Sequence, residues 1–241
     1  MMQIINLGNR IVNNYLVKTV NGYILIDTGY ENQYAPFCKK LRRHGIRTED
    51  IEYIYLTHAH DDHAGFLNEL LRHTQAKVIM QTSAVHGLRR GQNSFDGGCS
   101  TRLALTFCKA MSVVGKGKHL FPAVERQYEE RFIFSDDERI TGIEKEFSAK
   151  IIKTPGHTAC SISLLFDNGI LFCGDAAMNG FLSLHRATIW MESLVDFCRS
   201  WEIMIDLKPA KIYPGHGRPF DFLDLQRFLP TVQKFRLYPL V

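Results

Sequence analysis

Apolar residues fall in short runs along this chain, broken by glycine and polar clusters, and between the runs the spacing turns helical. Gln3–Leu7, Asn14–Thr19 and Tyr23–Asp27 are short and β-rich, and Asn21-Gly22 is a strong hairpin signal. Phe37 and Leu41 at helical spacing, closed by Gly45, predict a helix over Tyr34–His44. Ile51–Thr57 reads as a buried strand, Ala64–Leu71 as a helix and Lys77–Gln81 as a strand. Residues 86–135 break the rhythm. Gly91, Gly97 and Gly98 mark a loop, and Leu103, Phe107, Ala110 and Val114 give Thr101–Val114 an amphipathic helical face. Strands resume from 132. Phe147–Thr154, Ile162–Phe166 and Ile170–Cys173 are β runs, with a turn at Asp167-Asn-Gly169. A helix over Ser193–Asp206, a strand at Lys211–Tyr213 and a helix capped by Asp221 and running to about Phe235 follow. Both halves repeat strands followed by helices, which suggests two sheets packed face to face with helices outside.

At 241 residues and 45% hydrophobic, the chain has enough core for one large domain or two small ones. The single-domain reading is adopted, residues 1–241, with 86–135 inserted as a lid over the site or as a surface excursion. A net charge of +4 is only mildly basic, and Lys116, Lys118 and Arg89-Arg90 form a small cluster, so nucleic acid is not the expected partner. No long apolar run predicts a membrane span, and no secretion signal precedes the first strand. Six scattered cysteines without a C-x-x-C pair point to free thiols in a reducing cytoplasm.

The chemistry concentrates in His58-Ala-His60-Asp-Asp62-His63, on the loop between the strand 51–57 and the next helix. Two rigid elements would hold those side chains, as a catalytic site requires. Three further strand ends carry one such residue each beside glycine: Pro155-Gly156-His157, Gly174-Asp175 and Gly215-His216. Glycine lets backbone turn tightly and approach an ion. Imidazole nitrogens and carboxylate oxygens suit zinc, with iron or manganese as alternatives. Seven such groups exceed the four of a closed structural zinc site, so two divalent ions with open positions are expected.

This series of motifs, together with Asp27-Thr28-Gly29, resembles the metallo-β-lactamase superfamily over residues from about 10 to 220. The resemblance implies an α/β fold, an αββα sandwich of two mixed sheets with helices outside. It implies that His58, His60 and His157 bind one metal ion, that Asp62, His63 and His216 bind the other, and that Asp175 bridges them. Asp27 is then expected to brace the His loop without binding metal. Water bound to such ions falls from a pKa of about 15.7 to about 7, so a hydroxide bridging them would be the nucleophile, oriented by Asp62. The expected activity is hydrolysis of an ester, thioester or lactone of a small molecule. Phosphodiester cleavage, an iron-dependent oxygenase and a metal-bearing binding module are the alternatives. Phe181, His185 and Trp190, after the bridging aspartate, are candidate pocket residues, with Phe95, Phe107 and Phe121 as apolar walls from the insertion. The chain departs from the family pattern at Phe66, where a second glycine is common, and at Cys160, which reads as a buried space-filler or a redox-sensitive neighbour of the metals.

Overall fold

The computed structural model describes residues 2–115 and 117–240. In chain order the elements are β1 (Ile4–Asn6), β2 (Tyr15–Lys18), β3 (Tyr23–Ile26), α1 (Tyr34–Arg43), β4 (Ile51–Tyr55), α2 (Leu67–His73), β5 (Lys77–Met80), α3 (Ala84–Arg90), β6 (Gly98–Cys99), α4 (Arg102–Val113), β7 (Phe132–Phe134), α5 (Ile140–Phe147), β8 (Ala149–Lys153), β9 (Ile162–Phe166), β10 (Ile170–Gly174), β11 (Trp190–Met191), α6 (Leu194–Asp206), β12 (Lys211–Pro214) and α7 (Phe222–Val232). They form two compact units. The first runs to Asn93 and takes in Leu120–Phe147; the second comprises Ser94–His119 and the chain from Ser148 onward.

The first unit is built on a six-stranded sheet in the order β1-β2-β3-β4-β5-β7. The leading meander is antiparallel, and β3, β4, β5 and β7 are parallel. Parallel strands covered on both faces read as continuous apolar runs. Accordingly Ile24, Leu25 and Ile26 on β3, Ile54 and Tyr55 on β4, and Val78, Ile79 and Met80 on β5 are all buried. On α1, Phe37 and Leu41 are buried, and the Phe37 ring packs on Phe66 at 5.1 Å. Phe66 thus fills core space where the family pattern often has a second glycine.

The second unit holds a four-stranded sheet, β12-β10-β9-β8, and a two-stranded ribbon of β6 and β11. Helices α6 and α7 bury Phe197, Trp201, Met204, Leu225 and Val232 in one cluster with Leu171 and Ile212 of the sheet. Ser193 caps α6 by accepting from the Asp196 amide at 3.2 Å, and Asp221 caps α7 by accepting from Leu223 at 3.0 Å.

Several boundaries differ from expectation for local reasons. The helix expected from Ala64 begins at Leu67, because His60–Phe66 is spent on tight turns, with the Ala64 amide bonded to the His60 carbonyl at 2.7 Å. The strand expected from Phe147 begins at Ala149. Phe147 closes α5 instead, and Ser148 breaks the chain at a left-handed φ of 51°. The last helix stops at Val232, where Pro230 deprives its final turn of a donor. The stretch expected as one insertion divides: Ser94–His119 belongs to the second unit, and its flanks belong to the first, where β7 extends the sheet. Lys116, of the small basic cluster, lies outside the described residues.

Candidate metal centre

In the first unit, parallel β3 and β4 place their carboxyl ends side by side, with Ile26 opposite Tyr55. The chain leaves β3 at Asp27 and β4 at Leu56-Thr57-His58, so Asp27 and the His-rich loop emerge at the same edge. Asp27 holds a left-handed φ of 59°, a strained conformation for a residue with a side chain. Its buried carboxylate compensates by accepting three bonds: from the Thr57 amide at 2.8 Å, from Thr57 Oγ1 at 2.8 Å and from His63 Nδ1 at 2.7 Å. Thr28 adds to the grip, its amide and hydroxyl both donating to the His63 carbonyl.

These bonds set the tautomers. A carboxylate only accepts, so His63 carries its proton on Nδ1 and presents the Nε2 lone pair. Thr57 Oγ1 donates to Asp27, so it accepts from His58 Nδ1 at 3.0 Å, and His58 also presents Nε2. The His58 ring lies 4.1 Å from the His63 ring and 4.7 Å from the His60 ring. Asp62 reaches within 3.7 Å of His63 Nε2 through Oδ1. The loop thus brings His58, His60, Asp62 and His63 together, with Asp27 hydrogen-bonded to His63 and Thr57.

In the second unit, β9 is antiparallel to both β8 and β10, and β12 is parallel to β10. Three carboxyl ends consequently meet at one edge of the sheet. They carry His157 after β8, Asp175 after β10 and His216 after β12. The Gly215 amide donates to the Gly174 carbonyl at 2.7 Å and ties two of these loops together. Asp175 Oδ2 lies 3.3 Å from His216 Nε2 and 3.7 Å from His157 Nε2. His157 donates from Nδ1 to the Trp190 carbonyl at 2.8 Å, which makes Nε2, on the Asp175 side, the acceptor nitrogen of the ring. The donor chemistry of both clusters fits metal binding: imidazole nitrogens with the carboxylates of Asp62 and Asp175, and His58, His63 and His157 each oriented through Nδ1.

The remaining expected residues are more dispersed. Trp190 contributes its backbone carbonyl to His157. Phe181 is 85% exposed. The His185 ring lies 5.0 Å from Phe228 and 6.5 Å from Phe235, so it packs on aromatic side chains of the same unit. Phe121 is buried in the first unit, whereas Phe95 and Phe107 belong to the second. Cys160 is buried, its Sγ 3.3 Å from Thr158 Oγ1. Sequence reasoning missed Asn179, Glu192 and Thr57. The Asn179 amide donates to the His216 carbonyl at 2.9 Å, and Glu192 accepts from Ala159 beside His157 at 2.6 Å. Burial pushes the Glu192 carboxyl above its ordinary range, opposed by the bonds from Ala159 and Ser94. Burial, and then the nearby Asp27 charge, push the Tyr55 phenol well upward.

The sequence pattern of the metallo-β-lactamase superfamily matches residues 7–216. This chain belongs to that superfamily. As a superfamily member it is 28% identical over 212 residues to the "Beta-lactamase-like protein 2 homolog" of Caenorhabditis elegans, covering 87% of this chain and 57% of that protein. It is 26% identical over 216 residues to the "Probable metallo-hydrolase MJ0888" of Methanocaldococcus jannaschii, covering 85% of this chain and 87% of that one. The chain thus spans less than two-thirds of some relatives it matches. Among solved structures, a HARLDQ-motif mutant metallo-β-lactamase from Cronobacter sakazakii superposes with a TM-score of 0.65 at 19% identity, covering 95% of this chain and 90% of that one. The superfamily member has the metallo-β-lactamase fold, as its motifs implied. Among the described residues no helix is long and apolar enough to cross a membrane.

Proposed function

We propose that this chain is a metal-dependent hydrolase that cleaves an ester, thioester or lactone bond of a small molecule. In this reading His58, His60 and His157 would hold one divalent ion, Asp62, His63 and His216 would hold a second, and Asp175 would serve both, with zinc the preferred metal. The observation that carries it is the orientation of the imidazoles, since His58, His63 and His157 each commit Nδ1 to a protein acceptor, which makes Nε2 the nitrogen able to bind a cation. When bound, such ions lower the pKa of water from about 15.7 to about 7 and polarise a scissile carbonyl.

The protein's own groups supply the rest. Asp27, Thr57 and the Trp190 carbonyl fix the rings, so little reorganisation is needed at the moment of reaction. Asp62 carries the proton to the leaving group. Its side chain is 15% exposed against 6% for Asp175, so its carboxylate is the better placed to exchange protons with water. A small carbonyl substrate is preferred to a polyanion because the chain carries a net charge of only +4 and several of its arginines are engaged in internal pairs. Arg89 grips Glu129 through two bonds at 2.7 and 2.6 Å, and Arg139 is paired with Asp137. Free cysteines fit a cytoplasmic setting.

The test is metal analysis of the purified protein followed by a panel of a thioester, a lactone, a bis-aryl phosphodiester and a β-lactam. Two equivalents of transition metal, turnover of an acyl substrate and its loss in His60→Ala are expected. Full turnover by metal-free protein ends the proposal. Selective phosphodiester cleavage that falls steeply with salt replaces it with a nucleic-acid enzyme, and oxygen uptake by iron-loaded protein replaces it with an oxygenase.

A further inference from the structure

The second unit holds His157 from behind through three consecutive residues. Trp190 offers its carbonyl to His157 Nδ1 at 2.8 Å. The Glu192 amide donates to the carbonyls of Gly156 at 2.9 Å and of His157 at 3.1 Å. The Glu192 carboxylate then reaches past the histidine and accepts from the Ala159 amide at 2.6 Å. One residue therefore grips the 156–159 turn at both ends, with the histidine between.

The segment behind this grip is the part of the expected insertion that belongs to the second unit. Cys99 of β6 pairs with Trp190, and Gly98 with Met191. The Ser100 amide donates to the Ile189 carbonyl at 3.0 Å. Gly97 sits against β11 so closely that a Cβ there would come 2.2 Å from the Met191 carbonyl oxygen. Ser94 hydrogen-bonds the Glu192 carboxylate, so the clamp is itself oriented by residues outside the His157 loop. The turn needs such support. Gly156 lies at φ 132°, where a Cβ would come 2.3 Å from the Phe197 backbone, and its amide bonds the Thr158 carbonyl at 3.1 Å.

We propose that Glu192 is a positioning residue for His157, its carboxylate fixing the Ala159 end of the turn so that the imidazole is held ready for a metal ion. The inference rests on the reading of His157 as a metal ligand. Glu192 touches neither ion nor substrate; it acts through the loop, and groups of that kind typically change metal affinity 10–100-fold when removed.

Cobalt(II) titration of metal-free protein tests this, because cobalt reports its coordination by its visible absorption independently of turnover. The wild-type protein is expected to take up two equivalents. Glu192→Ala is expected to bind one of them about 10–100-fold more weakly, with an altered visible spectrum, and the equivalent affected is the one abolished in His157→Ala. Glu192→Gln, whose amide oxygen still accepts from Ala159, restores affinity and spectrum; a merely space-filling role would not distinguish the two variants in this readout. If Glu192→Ala does not fold, Glu192→Asp, which withdraws the carboxylate by one methylene, is expected to show the same weakened equivalent. A folded Ala or Asp variant with the wild-type titration and spectrum overturns the inference while leaving the hydrolase reading intact. Wild-type protein that takes up no cobalt removes the hydrolase reading, and this inference with it.

Discussion

The Asp27 carboxylate accepts the His63 Nδ1–H at 2.7 Å across 36 positions of sequence, and the same oxygen accepts from Thr57. Both partners are buried, so neither end of this bond has water as a substitute. Removing the acceptor leaves a buried imidazole N–H and a threonine without their bonds, and breaking buried hydrogen-bonded pairs of this kind costs about 3 kcal/mol or more. Asp27→Ala is therefore expected to lower unfolding free energy by that amount, read from urea melts. It is also expected to weaken metal binding about 10–100-fold, read by chelator competition. Wild-type values in both assays would show that the bond does not orient His63.

The donors themselves were legible in the sequence because metal binding needs particular side chains at strand ends, and His58–His63, His157, Asp175 and His216 each follow an apolar run. What holds them was mostly hidden. Trp190 serves through its carbonyl, and a backbone acceptor leaves no residue-type signature. Glu192 looks like any polar residue near a helix start. Helix α3 went unread because Gly87 interrupts its pattern, yet that glycine is what allows the helix to approach Ala59, where a Cβ would come within 3.2 Å. Helix α5, with Gly142 inside it, was not predicted at all. The division of residues 86–135 between two units depends on long-range pairing of β6 with β11 and of β7 with β5, which local pattern does not encode.

Two glycines with similar backbone should respond very differently to alanine. Gly45 lies at φ 71° with open space around its Cα, whereas Gly217 lies at φ 85° with its prospective Cβ 1.9 Å from the Asn179 carbonyl oxygen. Gly45→Ala carries only the conformational penalty, about 1 kcal/mol. Gly217→Ala adds a backbone clash beside His216, and strain of this kind costs about 3 kcal/mol beyond the conformational term. Chemical denaturation of both variants should separate them clearly; equal losses would mean that the Asn179 loop yields freely.

That same loop is secured from α7. Arg186 Nε donates to Asp224 at 2.9 Å and Nη1 donates to Asn179, whose amide in turn holds the His216 carbonyl. Arg186 sits at φ 67°, so the side-chain bonds offset local strain. The pair is about a quarter exposed, which limits its contribution to stability to about 1 kcal/mol. Arg186→Lys is expected to cost that much in melts while disturbing the site more, because a lysine cannot serve Asp224 and Asn179 together. The check is a visible cobalt spectrum that shifts although the melting temperature barely moves; an unchanged spectrum would confine Arg186 to stability.

Cys108 should be the reactive thiol of this chain. It is hydrogen-bonded to Cys99, and that bond lowers its pKa to about 7, against the opposing effect of burial and with a smaller lowering contribution from His119. The Cys99 thiol, giving the proton to that bond and buried, is pushed upward instead. The two titrate as a pair, and the first proton to leave belongs to the half-buried Cys108. Since the thiolate is the nucleophile, alkylation by iodoacetamide is expected to start at Cys108, with a rate that rises through a midpoint near 7. Removing the donor reverses the balance. In Cys99→Ala only burial and the weaker influence of His119 remain, so the midpoint is expected to move above the ordinary thiol value of about 8.5. Mass-spectrometric mapping of the label across a pH series reads both outcomes. A Cys108 midpoint that does not respond to the loss of Cys99 would show that the bond between the thiols is not what activates it.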